Sequence, residues 1–292
     1  MRTILLSFLV FVAIGWTYQS KNPICVSALD DRIIDTIHSK ILNEDRFIRI
    51  DLPKSVANSS KKYPVIYVLD GEANFDATKK ILDNLTAESS SKVGADVILV
   101  GIGNIWSRYR DYSPSHIDSS RWIDKETAKT TGGGPAFIAF LQRELLPYIE
   151  KKYPASSDRT LIGHSMGGLQ VINILLKHQQ LFDNYIAVDP SMWWDDEKLL
   201  NESAAILHDK TFENKKLFLA IANESEKSMS MEQVKKDTSA KTILIRPSFS
   251  LAEFVEKNKK NKLTFEWKFY PHEHHMTVNT PATYDGLKFI LY

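Results

Sequence analysis

Thr160-Leu161-Ile162-Gly163-His164-Ser165-Met166-Gly167-Gly168 is the stretch that decides the fold of this chain. Apolar residues lead up to Gly163, a Gly-x-Ser-x-Gly pattern follows, and an apolar periodic run continues over residues 169–178. This order predicts a strand, a very tight turn and a helix, with Ser165 in a strained backbone conformation at the tip. We expect a Cβ at either flanking glycine to collide with the neighbouring strand or helix.

The predicted turn would make Ser165 chemically useful. A serine hydroxyl is a poor nucleophile at neutral pH. The turn would expose its oxygen above a sheet and would place the N-terminus of the following helix beneath a developing negative charge. The alternative is a serine in an ordinary glycine turn, but the strand before it and the helix after it favour a nucleophile.

Composition and charge exclude several classes of protein. The chain has 292 residues, of which 43% are hydrophobic and 25% charged, as in ordinary soluble globular proteins. Its 37 basic and 36 acidic residues give a formal charge of +1, which offers no support for a nucleic-acid partner or a strongly acidic substrate. No repeat or Pro/Gly/Ser-rich linker interrupts the chain, so we predict one folded domain.

The N-terminal residues have the pattern of a secretory signal. Arg2 precedes an apolar run over residues 4–16, which is too short to span a bilayer comfortably. We predict a signal peptide over residues 1–28, cleaved after Ala28 or at earlier small residues, and a catalytic domain over 29–292. Cleavage at Ala28 would remove Cys25, the only cysteine, and so exclude disulfides. The protein would be periplasmic or extracellular, without a stable membrane span; the alternative is an uncleaved membrane anchor.

Buried strands alternate with helices along the rest of the chain. Apolar runs predict strands at 64–69, 96–102, 185–189, 216–221 and 262–270, with an alternating edge strand at 41–52. Helices are predicted at 77–89, 135–153 and 281–291, and an irregular region at 103–135. The alternation indicates an α/β fold with a mainly parallel central sheet and helices on both faces. Function in such sheets collects beyond the carboxyl ends of the strands.

A base for Ser165 is expected after the last strand. His275 lies there, just before the final helix, and a histidine in that loop serves as base in α/β-hydrolases. His272 and His274 are competing candidates. A metal site in this His-x-His-His run is the alternative, but no cysteine or carboxylate set completes one, so we expect no metal and no cofactor.

Two further parts of a hydrolytic site can be predicted. An acid would orient the base, and the loop after the 216–221 strand offers Glu226, with Glu224 as the alternative. Oxyanion donors should be the backbone N–H of Met166 and that of Glu72, or alternatively Gly71.

Several segments together resemble the putative-esterase (esterase D / enterochelin esterase) family of α/β-hydrolases. The matching segments, in chain order, are 63–72, 100–104 with 108–114, 163–168, 190–196 and the end of the chain around His275. The resemblance covers about residues 38–292 and implies the α/β-hydrolase fold and serine carboxylesterase chemistry. It also implies Ser165 as nucleophile and His275 as base. The family's usual glycine after this histidine is Met276 here.

The resemblance leaves the ester substrate open. Secreted relatives include esterases that open the lactone rings of catecholate siderophores, and others cut feruloyl, acetyl or S-formylglutathione esters. Arg108 could bind an anionic substrate, or Arg108 and Arg110 could form structural ion pairs, for instance with Asp111. Trp193 or Trp194 could line an acyl or aromatic pocket, or both could belong to the core.

The predicted function is therefore a secreted serine esterase that works on a small-molecule ester through an acyl-enzyme, without a cofactor. An acyltransferase or a carbohydrate (feruloyl or acetyl) esterase on the same fold is the alternative. A catalytically inactive binding protein is the alternative of another class.

Overall fold

Eight strands form one sheet in the computed structural model, which describes residues 33–53, 55, 60–88, 96–104, 106–120, 122–223 and 229–292. The strands are β1 (Ile33–Ser39), β2 (Glu44–Asp51), β3 (Tyr63–Leu69), β4 (Ile98–Ile102), β5 (Ala155–His164), β6 (Asn184–Val188), β7 (Lys216–Ala222) and β8 (Thr264–Tyr270). Their order across the sheet is β1-β2-β4-β3-β5-β6-β7-β8. The pairings from β4 to β8 are parallel, whereas β1 with β2 and β2 with β4 are antiparallel.

Parallel register brings distant segments to one edge of the sheet. His164 pairs with Val188, Val188 with Ala220, and Ala222 with Tyr270. The residues that follow β5, β6 and β8 therefore emerge at neighbouring places beyond the carboxyl ends of the strands. This is the edge at which the sequence predicts the site.

Helices cover both faces of the sheet, as predicted. They are α1 (Gly71–Glu88), α2 (Arg108–Tyr112), α3 (Lys125–Thr130), α4 (Gly134–Phe140), α5 (Leu146–Lys152), α6 (Met166–Lys177), α7 (Trp194–Asp209), α8 (Met231–Lys236), α9 (Arg246–Lys257) and α10 (Asn279–Leu291). A π-helical turn, Leu141–Leu145, joins α4 to α5. Apolar side chains of α1 and α10 pack with one face of the strands, and those of α4 to α7 and α9 with the other. The α/β-hydrolase fold is therefore confirmed.

Three expectations from the sequence need correction. The predicted edge strand is β2, but it is not at the edge, because β1 pairs outside it. The region 103–135 is not wholly irregular, since it contains α2 and α3. Helices α7, α8 and α9 lie where the sequence analysis predicted no element, and polar residues interrupt the apolar period in each.

The described residues all belong to one unit, Arg32–Tyr292. Residues 1–32, and with them the predicted signal peptide over 1–28, lie outside the described residues. None of the helices that the structure describes combines the length and the apolar composition needed to cross a membrane.

Candidate active site

The turn after β5 places Ser165 at the carboxyl edge of the sheet. Ser165 has φ 61° and ψ −121°, a conformation that residues other than glycine seldom adopt. It lies directly between β5 and α6, and its backbone is fixed because its N–H donates to the Val188 carbonyl and its carbonyl accepts from Leu169 and Ser191. The strained turn predicted from the sequence is therefore present.

The glycines around Ser165 are not equivalent. A Cβ on Gly163 would lie 2.4 Å from the carbonyl oxygen of Gly167, so a side chain there requires the backbone to move. A Cβ on Gly167 would meet nothing closer than 3.5 Å, at Asp70 Oδ2. The expectation that a Cβ collides at both glycines of the motif is therefore wrong for Gly167. The second tight position is Gly168, whose added Cβ would lie 3.0 Å from Pro190.

His275 is the histidine that the fold brings to Ser165. Its Nδ1 lies 2.6 Å from Asp189 Oδ2, and since a carboxylate only accepts, Nδ1 carries the proton and donates it. In the neutral imidazole Nε2 is then the acceptor, which is the form a general base needs. Ser165 and His275 line the same cavity.

Asp189 is a site residue that the sequence analysis missed. It follows β6 directly and has a left-handed φ of 41°. Its Oδ1 accepts from the backbone N–H of Ala222 at 2.9 Å, which leaves Oδ2 for His275. Its only signal in the sequence is its position at the carboxyl end of an apolar strand, where the pattern predicts the last residue of the strand and not a loop residue. The carboxylates proposed instead, Glu226 and Glu224, lie outside the described residues.

The two predicted oxyanion donors are both first-turn residues of helices. Met166 begins α6 and Glu72 is the second residue of α1, so neither N–H has an acceptor within its own helix. Glu72 lines the cavity of Ser165. Gly71, the alternative, is buried, and a Cβ added to it would lie 2.5 Å from the carbonyl carbon of Gly101. The side chain of Glu72 accepts from the Asn104 N–H at 3.0 Å and so points to the end of β4.

The cavity above Ser165 has a volume of about 530 Å³ and is lined by both polar and apolar side chains. Three side-chain amides contribute to it, those of Asn74, Asn104 and Asn279. Arg108 contributes a cation, and Met276, which stands where the family's usual residue is glycine, contributes an exposed apolar side chain. Such a lining suits a ligand that carries both oxygen acceptors and an apolar part.

Arg108 reaches this cavity as part of an ion pair. Its Nε donates to both carboxylate oxygens of Asp70, at 3.0 and 3.1 Å, and one terminal nitrogen donates to the His164 carbonyl at 3.1 Å. Burial raises the pKa of Asp70, and the Arg108 guanidinium opposes that rise. Of the two arginines expected to pair with Asp111, Arg110 does so, whereas Arg108 pairs with Asp70. Asp111 also binds Arg46.

Neither of the two candidate substrate-binding tryptophans lines the Ser165 cavity. Trp194 is 2% exposed, and its Nε1 donates to the Ser115 carbonyl at 3.1 Å, so it belongs to the core. Trp193 is half-buried and lines a second cavity of about 600 Å³ together with Trp122 and three acidic residues of α7. The Ser165 cavity is lined by other residues.

The histidines at the end of the chain do not form a metal centre within the part of the chain that the structure describes. No group of three or more His, Cys, Asp or Glu side chains there is arranged to hold a metal ion. His274 is occupied in its own turn, where its ring nitrogen Nδ1 accepts from the Met276 N–H at 3.3 Å.

Comparison with known proteins identifies the family of this chain. The sequence model of the family described as "Putative esterase" matches residues 39–283. The chain belongs to the Putative esterase family. Among solved structures, an IroE-like serine hydrolase from Shewanella oneidensis superposes on this member of the family with a TM-score of 0.79 at 31% sequence identity, over 89% of this chain and 80% of the other.

Several curated relatives of this family member are siderophore esterases by name. The ferri-bacillibactin esterase BesA of Bacillus subtilis is 30% identical over 178 residues, which are 55% of this chain and 59% of BesA. The siderophore enterobactin esterase of Emericella nidulans is 30% identical over 156 residues, 50% of this chain and 52% of that protein. The aligned part thus spans between half and three-fifths of the length of these relatives.

Proposed function

We propose that this chain is a serine esterase that cleaves carboxylic esters through an acyl-enzyme. The observation that carries the proposal is the meeting of Ser165, on its strained turn, with the His275–Asp189 pair at one cavity. A carboxylate on Nδ1, with 11% of its side chain exposed, fixes the tautomer in which Nε2 can take a proton from a serine. Family membership supports the same chemistry.

The proposed reaction has two halves. Ser165 Oγ attacks the ester carbonyl while its proton passes to His275 Nε2, and Asp189 stabilises the imidazolium that forms. The N–H groups of Met166 and Glu72 hold the oxyanion. The intermediate then expels the alcohol, which takes the proton from His275. Water, deprotonated by His275, attacks the acyl-enzyme and releases the carboxylic acid and the free serine.

The proposed substrate class is a siderophore ester that carries negative charge. The named activities of the curated relatives support a siderophore substrate. Arg108 lies in the cavity beside Ser165, where its guanidinium could hold a catecholate or carboxylate oxygen while Asp70 keeps it in place. Feruloyl, acetyl and other short acyl esters are the competing substrates.

The central experiment compares Ser165→Ala with Ser157→Ala, which removes an exposed hydroxyl from the same strand. We expect the first to lower kcat on p-nitrophenyl butyrate by roughly 10³–10⁶-fold, because nucleophile and base act as a unit. The second should match the wild type. An unchanged rate in Ser165→Ala would remove this serine from the mechanism.

Two further measurements separate the alternatives. A fluorophosphonate probe should label the wild type at Ser165, and failure to label the folded protein would favour a binding protein. Hydrolysis in the presence of a competing alcohol should yield the free acid, whereas transfer to the alcohol would indicate an acyltransferase. A panel of a ferric catecholate trilactone, feruloyl esters and short acyl esters then identifies the substrate, and we expect the highest kcat/KM for the trilactone.

We also propose that the protein is exported and that residues 1–28 are its signal peptide. The support is the charged residue followed by a short apolar run at the N-terminus. Expression of the full chain in a bacterium with a Sec pathway, followed by fractionation and mass spectrometry, tests this. A periplasmic or secreted species that begins at residue 29 is expected, and an uncleaved membrane-bound species would indicate the anchor instead.

A further inference from the structure

His164, the residue before the candidate nucleophile, contacts the loop that carries the candidate base. Its Nε2 lies 2.8 Å from the carbonyl oxygen of His275. A carbonyl oxygen only accepts, so the hydrogen is on Nε2 and His164 is the donor. This bond joins the end of β5 directly to the His275 loop, although the two residues are 111 positions apart in the chain.

The two imidazole rings also pack against each other. Their centroids are 4.5 Å apart and their planes are inclined by 36°. His275 is therefore restrained at three places: its Nδ1 by Asp189, its backbone carbonyl by His164, and its ring by the ring of His164. The second and third restraints both depend on one side chain.

The surroundings of His164 keep it in the form that donates this bond without carrying a charge. Burial, and after it the neighbouring His275, lower the pKa of His164 to about 4. Asp189 acts in the opposite direction and Arg108 in the same direction, but burial prevails. At neutral pH the ring is uncharged, so it adds no positive charge beside the base.

We propose that His164 is a positioning residue that holds His275 in register with Ser165 through its hydrogen bond to the His275 carbonyl. The proposal rests on the proposed esterase function and adds a residue to it. A base displaced by about 1 Å from the attacking hydroxyl can cost roughly 10²-fold in rate. His164 also lines the Ser165 cavity, but its Nε2 is engaged by the His275 carbonyl and not by a substrate, so the effect should fall on kcat.

Two substitutions separate the hydrogen bond from general packing. The amide nitrogen of glutamine reaches about as far from the backbone as Nε2 of histidine, whereas that of asparagine reaches only about as far as Nδ1. His164→Gln can therefore keep the bond to the His275 carbonyl, and His164→Asn cannot. Both variants remove the ring and keep a polar side chain. A loss of packing or a change in solvation should therefore affect the two variants equally.

The expected result is a difference between these two variants. We expect His164→Asn to lower kcat on p-nitrophenyl butyrate by roughly 10–100-fold with KM changed less than about threefold, as a misplaced base would. His164→Gln should recover most of the lost kcat. Equal activity in both variants, or a change confined to KM, would overturn the proposal, and thermal unfolding curves show whether either variant has lost its fold.

An activity-independent measurement keeps this test separate from that of the esterase function. The proton on His275 Nδ1, shared with Asp189, should give a downfield proton NMR resonance in the wild type and in His164→Gln. We expect it to broaden or disappear in His164→Asn, because the loop is no longer held. If the wild type hydrolyses no ester and this pattern holds, the positioning role stands and the esterase function fails. If the resonance is the same in all three proteins, the positioning role fails.

Discussion

Asp189 shows how much one carboxylate decides at this site. One of its oxygens is fixed by the Ala222 N–H and the other is 2.6 Å from His275 Nδ1, so the imidazole has one orientation. Its left-handed φ of 41° is a conformation that costs free energy for a residue with a side chain. Such strain persists at functional sites where the surrounding structure holds it, and here the N–H of Asp189 also donates to the Ala220 carbonyl.

The first prediction identifies the acid of the site. Asp189→Asn should lower kcat by about 10²–10⁴-fold, because an amide can present the wrong group to His275 and cannot stabilise the imidazolium. Glu226→Gln is the matched control and should change kcat less than about threefold. Steady-state kinetics on the same ester measure both, and the opposite ranking of the two variants would return the role to Glu226.

The turn between β5 and α6 is the element on which the site depends. The strand must end, the chain must reverse at Ser165, and the helix must begin within one residue. This geometry requires the strand and the helix to approach closely at Gly163. The carbonyl of Gly167 there occupies the space that a side chain at residue 163 would need. A Cβ added at Gly167 would make only ordinary van der Waals contacts with Leu69 and Asp70, so no steric contact requires a glycine there.

The second prediction tests this difference between the glycines. Gly163→Ala should lower the free energy of unfolding by at least about 2 kcal/mol, because the added Cβ overlaps backbone that cannot move freely. Gly167→Ala should change it by less than about 1 kcal/mol and can be slightly stabilising, since alanine is the better helix former. Urea unfolding of both variants gives the comparison. Equal losses would mean that the turn constrains both positions alike.

At the scale of the whole molecule, a cluster of polar side chains attaches the edge strand β1 to α5. Asp35 of β1 accepts hydrogen bonds from Lys152 at 2.7 Å, Tyr153 at 2.6 Å and Tyr148 at 2.9 Å, all from the region of α5. The Asp35 side chain is 11% exposed. Burial by itself would raise the pKa of Asp35, but the three donors outweigh it, so its pKa lies below the ordinary value.

The third prediction follows from that direction. A carboxylate with a lowered pKa in the folded state stabilises the protein above the unfolded pKa, near pH 4, and the contribution is lost as the pH falls through the folded pKa. Asp35→Asn should therefore lower stability at pH 7 by about 1–3 kcal/mol. It should also reduce the loss of stability that the wild type shows between pH 4 and pH 2.

Asp45→Asn provides the control for this prediction. Asp45 lies on the partner strand β2, is 59% exposed and pairs only across the surface with His38, so its removal should cost less than about 0.5 kcal/mol. Denaturant unfolding at pH 7 and pH 3 measures all three proteins. If Asp35→Asn and Asp45→Asn behave alike at pH 7, the cluster does not contribute as proposed.

Much of the architecture can be predicted from the local sequence pattern. The apolar strands β3 to β7, the turn at Ser165 and the place of His275 after the last strand all follow from local pattern and chain order, because a buried strand and a tight turn have composition requirements of their own. Strand β1 was not predicted because two of its inward residues, Asp35 and Ser39, are polar. Their hydrogen-bond partners are in α5 and at Glu144. A local sequence pattern does not indicate hydrogen-bond partners that lie more than 100 residues away in the chain.

The local sequence determined the fold class, the turn and two of the three residues at the proposed centre. Only the tertiary structure decided that Asp189 meets His275, that Arg108 pairs with Asp70, and that Trp193 and Trp194 do not line the Ser165 cavity. The physical reason is that strand and turn formation depend on neighbouring residues. Which carboxylate reaches an imidazole depends instead on the register of β6 against β5 and β7, to which the whole sheet contributes.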